Sequence, residues 1–109
     1  VSADYSFIAP SAAMTLHPVR TTGLVIGAEQ TYGYFRRMQE RITDFIVKMS
    51  GARREVIDDL MNAKNDMAND IGTIFYGQEA VEAGLIDSVG GLCDALKKLR
   101  ELTAQNVKL

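Results

Sequence analysis

The sequence predicts a mixed α/β fold, rich in helix and with a few short strands. Three observations carry this. Residues Ala13 to His17 alternate in the two-residue period of a strand. Residues Glu29 to Met49 place apolar side chains at spacings of three and four, the period of a long helix. Glycine-punctuated stretches then divide the remainder into short elements before a last amphipathic helix.

In chain order, Tyr5 to Ile8 has strand-forming residues, and Ala9-Pro10-Ser11 is the turn after it. In the next strand Met14 and Leu16 share one face, and Ala13, Thr15 and His17 share the other. Pro18 keeps His17 extended by disfavouring the helical conformation before it. Pro18 to Gly27 reads as a loop in which Leu24-Val25-Ile26 forms a brief strand.

The long helix carries a seam of Phe35, Met38, Ile42, Phe45 and Met49, widened by Ile46. The spacing leaves two uses open for that seam: this chain's own core or a neighbouring subunit. Asp44 and Lys48 are ordered for an ion pair one turn apart, and Gly51 stands where a helix cap prefers glycine. A second helix runs from Arg53 to about Met67, with Val56, Ile57, Leu60 and Met61 as its apolar stripe. Asn69-Asp70-Ile71-Gly72 is expected as a polar turn, Gln78 to Ala83 as a short helix closed by Gly84, and Leu85 to Val89 as a strand. After Gly90-Gly91, Leu92, Ala95, Leu96, Leu99 and Leu102 define the final helix, whose last residues are expected to fray.

The chain has 109 residues, enough for one small domain. Its 47% hydrophobic and 24% charged residues exclude intrinsic disorder. A net charge of -2 without a basic block argues against a nucleic-acid protein. The pairs Arg36-Arg37 and Arg53-Arg54 read as solvated helix faces. The single cysteine, Cys93, permits no internal disulfide, fits a reducing, cytoplasmic setting, and reads as a small buried hydrophobe. No apolar run is long enough to span a bilayer. The chain opens on Val1 without an initiator methionine, in a segment that reads like the middle of a domain. The true N-terminus is expected elsewhere.

His17 is the only histidine. A lone histidine is more often structural than catalytic, but a face of small residues leaves room beside this one. Asp66, Asn69 and Asp70 cluster after the second helix, where their plain role is to end it. A chemical role would be to hold one ring nitrogen of His17, while the other takes a proton from a nucleophile. The available serines are Ser2, Ser6, Ser11, Ser50 and Ser88, and none sits in a glycine-flanked strand-to-helix elbow. One histidine with scattered carboxylates lacks zinc-site spacing, and Gly23 and Gly27 make no phosphate loop, so no metal or cofactor is expected.

Several runs together resemble the ClpP-class serine peptidases. They are Asp4-Tyr5-Ser6-Phe7-Ile8-Ala9, Ala13-Met14-Thr15-Leu16-His17-Pro18-Val19-Arg20 and Thr22-Gly23-Leu24-Val25-Ile26-Gly27. Met38-Gln39-Glu40-Arg41-Ile42, Asn69-Asp70-Ile71-Gly72-Thr73 and Gly77 through Gly84-Leu85-Ile86-Asp87 are similar to the translocation-enhancing subgroup of that family. The strand ending in His-Pro and the later Gly-Leu-Ile-Asp are specific in combination; the latter alone is shared across the wider crotonase-like superfamily.

The resemblance implies a crotonase-like spiral fold of which residues 1–109 are the C-terminal half. It implies His17 as catalytic histidine and Asp70 as the aspartate beside it, with Asp66 as the fallback. The long helix corresponds to the family's handle, which packs subunits into rings, and this shifts the reading of the seam towards oligomer contacts. Aligned by Gly-Leu-Ile-Asp alone, Gly72 falls at the catalytic aspartate's place, and a two-residue insertion restores Asp70. The nucleophilic serine and oxyanion-hole amides would lie upstream of Val1. The expected activity of the intact protein is therefore peptide-bond hydrolysis on extended peptide substrates, with this chain inert alone. An ATPase partner is neither specified nor excluded. The alternatives are a non-catalytic ring scaffold assisting protein translocation and a crotonase-type acyl-CoA hydratase or isomerase. Without the first half, apolar faces of the remainder are expected to stand uncovered.

Overall fold

A computed structural model describes residues 1–20, 27–65 and 70–106. Their elements are β1 (Phe7–Ile8), β2 (Ala13–Leu16), α1 (Ala28–Met49), α2 (Arg54–Asn62), β3 (Lys64–Asn65), β4 (Asp70–Ile71), β5 (Thr73–Tyr76), α3 (Gly77–Glu82), β6 (Ser88–Val89) and α4 (Leu92–Asn106). The mixed α/β class is as the sequence predicts. The expected strand at Leu24-Val25-Ile26, the fallback Asp66 and the fraying end lie outside or at the edge of the described residues.

The strands form three two-stranded ladders. β1 and β6 are parallel, with Phe7 opposite Ser88 and Ile8 opposite Val89. β2 and β5 are antiparallel, with Met14 opposite Phe75 and Leu16 opposite Thr73. β3 and β4 are antiparallel, with Asn65 opposite Asp70. The core is Ile8, Leu16, Ala52, Ile57, Met61, Phe75, Ala80 and Leu85. α2 delivers its stripe as predicted: Ile57 and Met61 are buried and Val56 and Leu60 half-buried.

Asp87 shows how the Gly-Leu-Ile-Asp segment serves the fold. Its carboxylate accepts the Ser6 amide at 2.8 Å and the Ser6 hydroxyl at 3.1 Å. Its own amide donates to Ser6 Oγ at 3.1 Å, so one aspartate pins the two parallel strands together. Gly84, at φ +83°, passes so close to the Gly51-Ala52 backbone that an added Cβ would lie 2.8 Å from Ala52 N.

Several expectations are corrected. α2 ends at Asn62 rather than near Met67, because Ala63 turns extended and its carbonyl accepts the Gly72 amide at 2.6 Å. Asp70-Ile71 is a strand, not a turn, and Thr73–Tyr76 is a strand the periodicity did not reveal. Gly51 is not a left-handed cap; α1 ends on extended Ser50, and the Gly51 amide donates to the Gly84 carbonyl at 3.0 Å. Asp44 pairs with Arg54 across the α1–α2 corner. Cys93 is exposed rather than buried, one residue off the leucine stripe of a helix whose apolar face is itself uncovered.

Most of the apolar seam of α1 faces away from this chain's core, and Ile46 at its edge packs against that core. The helix turns Gln39, Thr43, Ile46 and Val47 inward and leaves Ile42, Phe45 and Met49 exposed. On α4, Leu92 is 75% and Leu99 57% exposed. The radius of gyration, 17.3 Å, exceeds the roughly 13 Å of a compact chain this long. The chain is thus elongated, with apolar faces of α1 and α4 left uncovered.

Candidate active site

Strand β2 positions the only histidine. Its burial alternates as the sequence predicts: Leu16 is buried and Met14 half-buried, while Ala13, Thr15 and His17 lie on the exposed side. β5 reinforces this pleat, setting Phe75 on the core face and Ile74 and Tyr76 on the open one. His17 thus leaves the end of a braced strand with its ring in the open.

Among the described residues the His17 ring makes one hydrogen bond. Nδ1 lies 2.8 Å from the carbonyl oxygen of Pro18. A carbonyl only accepts, so in neutral His17 the proton sits on Nδ1 and Nε2 carries the lone pair. That is the tautomer a general base needs.

The peptide unit that carries this carbonyl is tied on its other side. The amide of Val19 donates to Oε1 of Gln39 on α1 at 2.6 Å. Gln39 Nε2 in turn donates to Thr43 Oγ1 at 3.3 Å and to the sulfur of Met61. Thr43 is 1% exposed and the one polar side chain among the buried core residues described. Sequence reasoning missed Gln39. The available signal was a polar pair, Gln39 and Thr43, one turn apart on the helix face that flanks the apolar seam.

The segment that carries the second expected site residue, Asp70, passes His17 at Gly72. Gly72, at φ +133°, packs against the histidine: an added Cβ would lie 3.0 Å from His17 Cβ and 2.7 Å from the Leu16 carbonyl oxygen. The Gly72 amide is fixed by Ala63, and Thr73 Oγ1 donates to the Leu60 carbonyl at 2.6 Å. α2 therefore clamps the segment that passes His17. Asp70 lies on that segment, in β4, two residues before the point of contact.

The serines are otherwise engaged or remote in role. Ser6 braces Asp87, Ser88 Oγ bonds the Tyr5 hydroxyl at 2.6 Å, and Ser50 Oγ accepts the Ala52 amide at 3.2 Å. Among the described residues the site holds an exposed imidazole and the backbone of the segment that carries Asp70, and no serine hydrogen bonds to His17.

Charged groups elsewhere behave as solvated surface. Arg36 pairs with Glu40 at 3.7 Å. The Asp44 hydrogen bond pushes the already high pKa of Arg54 further up; desolvation opposes this, and the nearby charges of Asp44, Asp58 and Glu40 add to the rise. On the open face of α1, Tyr34, Arg37, Met38, Arg41, Ile42 and Phe45 line a groove of about 580 Å³. Among the described residues no helix is long and apolar enough to cross a membrane.

Comparison with known proteins adds two findings. Residues 2–92 match the sequence profile of the Clp protease family. The translocation-enhancing protein TepA of Halalkalibacterium halodurans is 52% identical over 102 residues, covering 94% of this chain and 40% of that relative. The chain thus spans less than half the length of the curated relative it matches.

Proposed function

Because the chain belongs to the Clp protease family, we propose that the intact protein is a serine endopeptidase to which residues 1–109 contribute the C-terminal half of the catalytic domain. In this reading a serine outside these residues attacks the peptide carbonyl. His17 takes its proton through Nε2 and returns it to the leaving amine. The proton on Nδ1 stays in place throughout. The Pro18 carbonyl selects the tautomer, and the Asp70 carboxylate stabilises the imidazolium that forms. The observation that carries the reading is His17 itself, exposed at the end of a braced strand with Nδ1 bonded to the Pro18 carbonyl.

The test is hydrolysis of a peptide ester by the intact protein and by the 109-residue chain at equal concentration. The intact protein is expected to turn the ester over and the short chain to show no rate above buffer. Equal rates would remove the upstream nucleophile from the reading.

Assembly belongs to the same proposal. The exposed Ile42, Phe45 and Met49 on α1 form an apolar surface that this chain's own core does not use. We assign it to subunit contacts within a homo-oligomer that encloses extended peptide substrates. Ile42→Glu with Phe45→Glu should reduce the sedimentation coefficient of the intact protein to that of a smaller species. An unchanged value would assign the surface elsewhere.

A second reading draws on the printed name of the relative, a translocation-enhancing protein. Here the assembly is a non-catalytic scaffold and His17 a structural residue. It predicts that His17→Ala leaves the protein's function intact. The acyl-CoA hydratase expectation is not carried forward, since the family found is a protease family.

A further inference from the structure

The peptide joining Pro18 to Val19 is used on both sides. Its carbonyl accepts the His17 Nδ1 proton at 2.8 Å, and its amide donates to Gln39 Oε1 at 2.6 Å. A peptide unit is a rigid plane whose C=O and N–H point in opposite directions. Fixing the N–H therefore fixes where the carbonyl aims. Gln39 is itself fixed, because Nε2 is held by Thr43 and Met61 at the α1–α2 contact, where Thr43 and Met61 are buried.

We infer that Gln39 is a positioning residue for His17, acting through the Pro18–Val19 peptide to hold the Nδ1–H tautomer and the ring direction. The catalytic consequence rests on the peptidase reading above; the tautomer itself does not. Without the Gln39 acceptor, the peptide rotates to find water, the Pro18 carbonyl swings from Nδ1, and the ring samples the tautomer in which Nε2 carries the proton and cannot act as base. A glutamine that merely filled space would be replaceable by an apolar residue of the same length.

The experiment uses the intact protein with isotope-labelled histidine, the His17 signal being assigned by its loss in His17→Ala. Ring nitrogen shifts of neutral His17 report which nitrogen is protonated. Wild type is expected to show the Nδ1–H form as the major species. Gln39→Met, which keeps length but removes the acceptor, should bring the Nε2–H form to comparable population. Gln39→Glu, which retains an acceptor for the Val19 amide and can be anchored by accepting from the Thr43 hydroxyl, should restore the wild-type ratio. In ester hydrolysis, Gln39→Met should lower kcat at least tenfold with KM within twofold, and Gln39→Glu should recover most of that loss. A wild-type signal dominated by Nε2–H would overturn the inference whether or not any variant folds. So would an unchanged tautomer ratio in folded Gln39→Met. A tautomer shift in a protein without esterase activity would uphold the positioning role and sink the peptidase reading instead.

Discussion

Replacing His17 with alanine in the intact protein is expected to lower kcat for a peptide ester by about 10⁴-fold or more, with KM little changed. The size follows from what the side chain does. A serine hydroxyl is a poor nucleophile at neutral pH unless a base removes its proton as it attacks. His17 is the only imidazole in residues 1–109, and its Nε2 is the acceptor in the tautomer that the Pro18 carbonyl selects. In the proposed reading the ring moves a proton rather than gripping the peptide, so KM should hold. The residual rate would come from binding and oxyanion stabilisation alone. His17 is also exposed at the end of β2, so its removal leaves no cavity and should cost little stability. A loss below tenfold in folded, assembled protein would remove the general-base role.

The second large effect is on stability and geometry together. Gly72→Ala is expected to destabilise the protein by about 2 kcal/mol or more. It should also reduce ester hydrolysis, because the same added atom meets both the Leu16 carbonyl and His17. The backbone at φ +133° lies where residues with a side chain are strained by roughly 1–3 kcal/mol. The 2.7 Å approach to Leu16 O adds a clash with backbone, which cannot rotate aside. Nor can Gly72 retreat easily, since its amide is tied to Ala63 O at 2.6 Å. Gly33→Ala is the matched control. Gly33 lies inside α1 with nothing within 4 Å of an added Cβ, so alanine there should stabilise by about 0.5–1 kcal/mol. Denaturant unfolding of both variants decides the matter. Similar small shifts would show that the contact between Gly72 and His17 is not tight.

Gly72 also illuminates the third site residue. Alignment by the Gly-Leu-Ile-Asp segment puts glycine where the family's aspartate is expected, and the structure places that glycine against His17. Any side chain at 72 would have to displace the strand that presents the histidine. The resemblance moves the acidic role to Asp70, two residues back along the same clamped segment.

Much of this was legible in the sequence for local reasons. The alternation from Ala13 to His17 fixed which side the histidine takes, and Pro18 fixed where the strand ends. The stripes of α1, α2 and α4 follow from helical spacing. What escaped depends on distant partners. Ala63 and Lys64 are good helix formers, and only the Gly72 amide and the antiparallel pairing with Asp70-Ile71 draw them out of α2. Thr73–Tyr76 has strand-forming residues, but its identity rests on pairing with β2 across the chain. Gln39 lies on the flank of the apolar seam, where a polar residue in a long helix reads as solvated surface. Its partner, the Val19 amide, is joined only by folding. Cys93 failed for a different reason: an apolar pattern predicts burial only where something covers it, and the α4 leucines stand uncovered here.

The most direct measurement is the intact mass of the full-length protein before and after exposure to a fluorophosphonate, in wild type and in His17→Ala. One adduct per subunit, mapped to a serine outside residues 1–109 and absent from the His17→Ala protein, is the predicted result. An unlabelled wild-type protein that is folded and assembled, or an adduct that forms equally well without His17, would contradict the assignment of this chain as the histidine-bearing half of a serine peptidase.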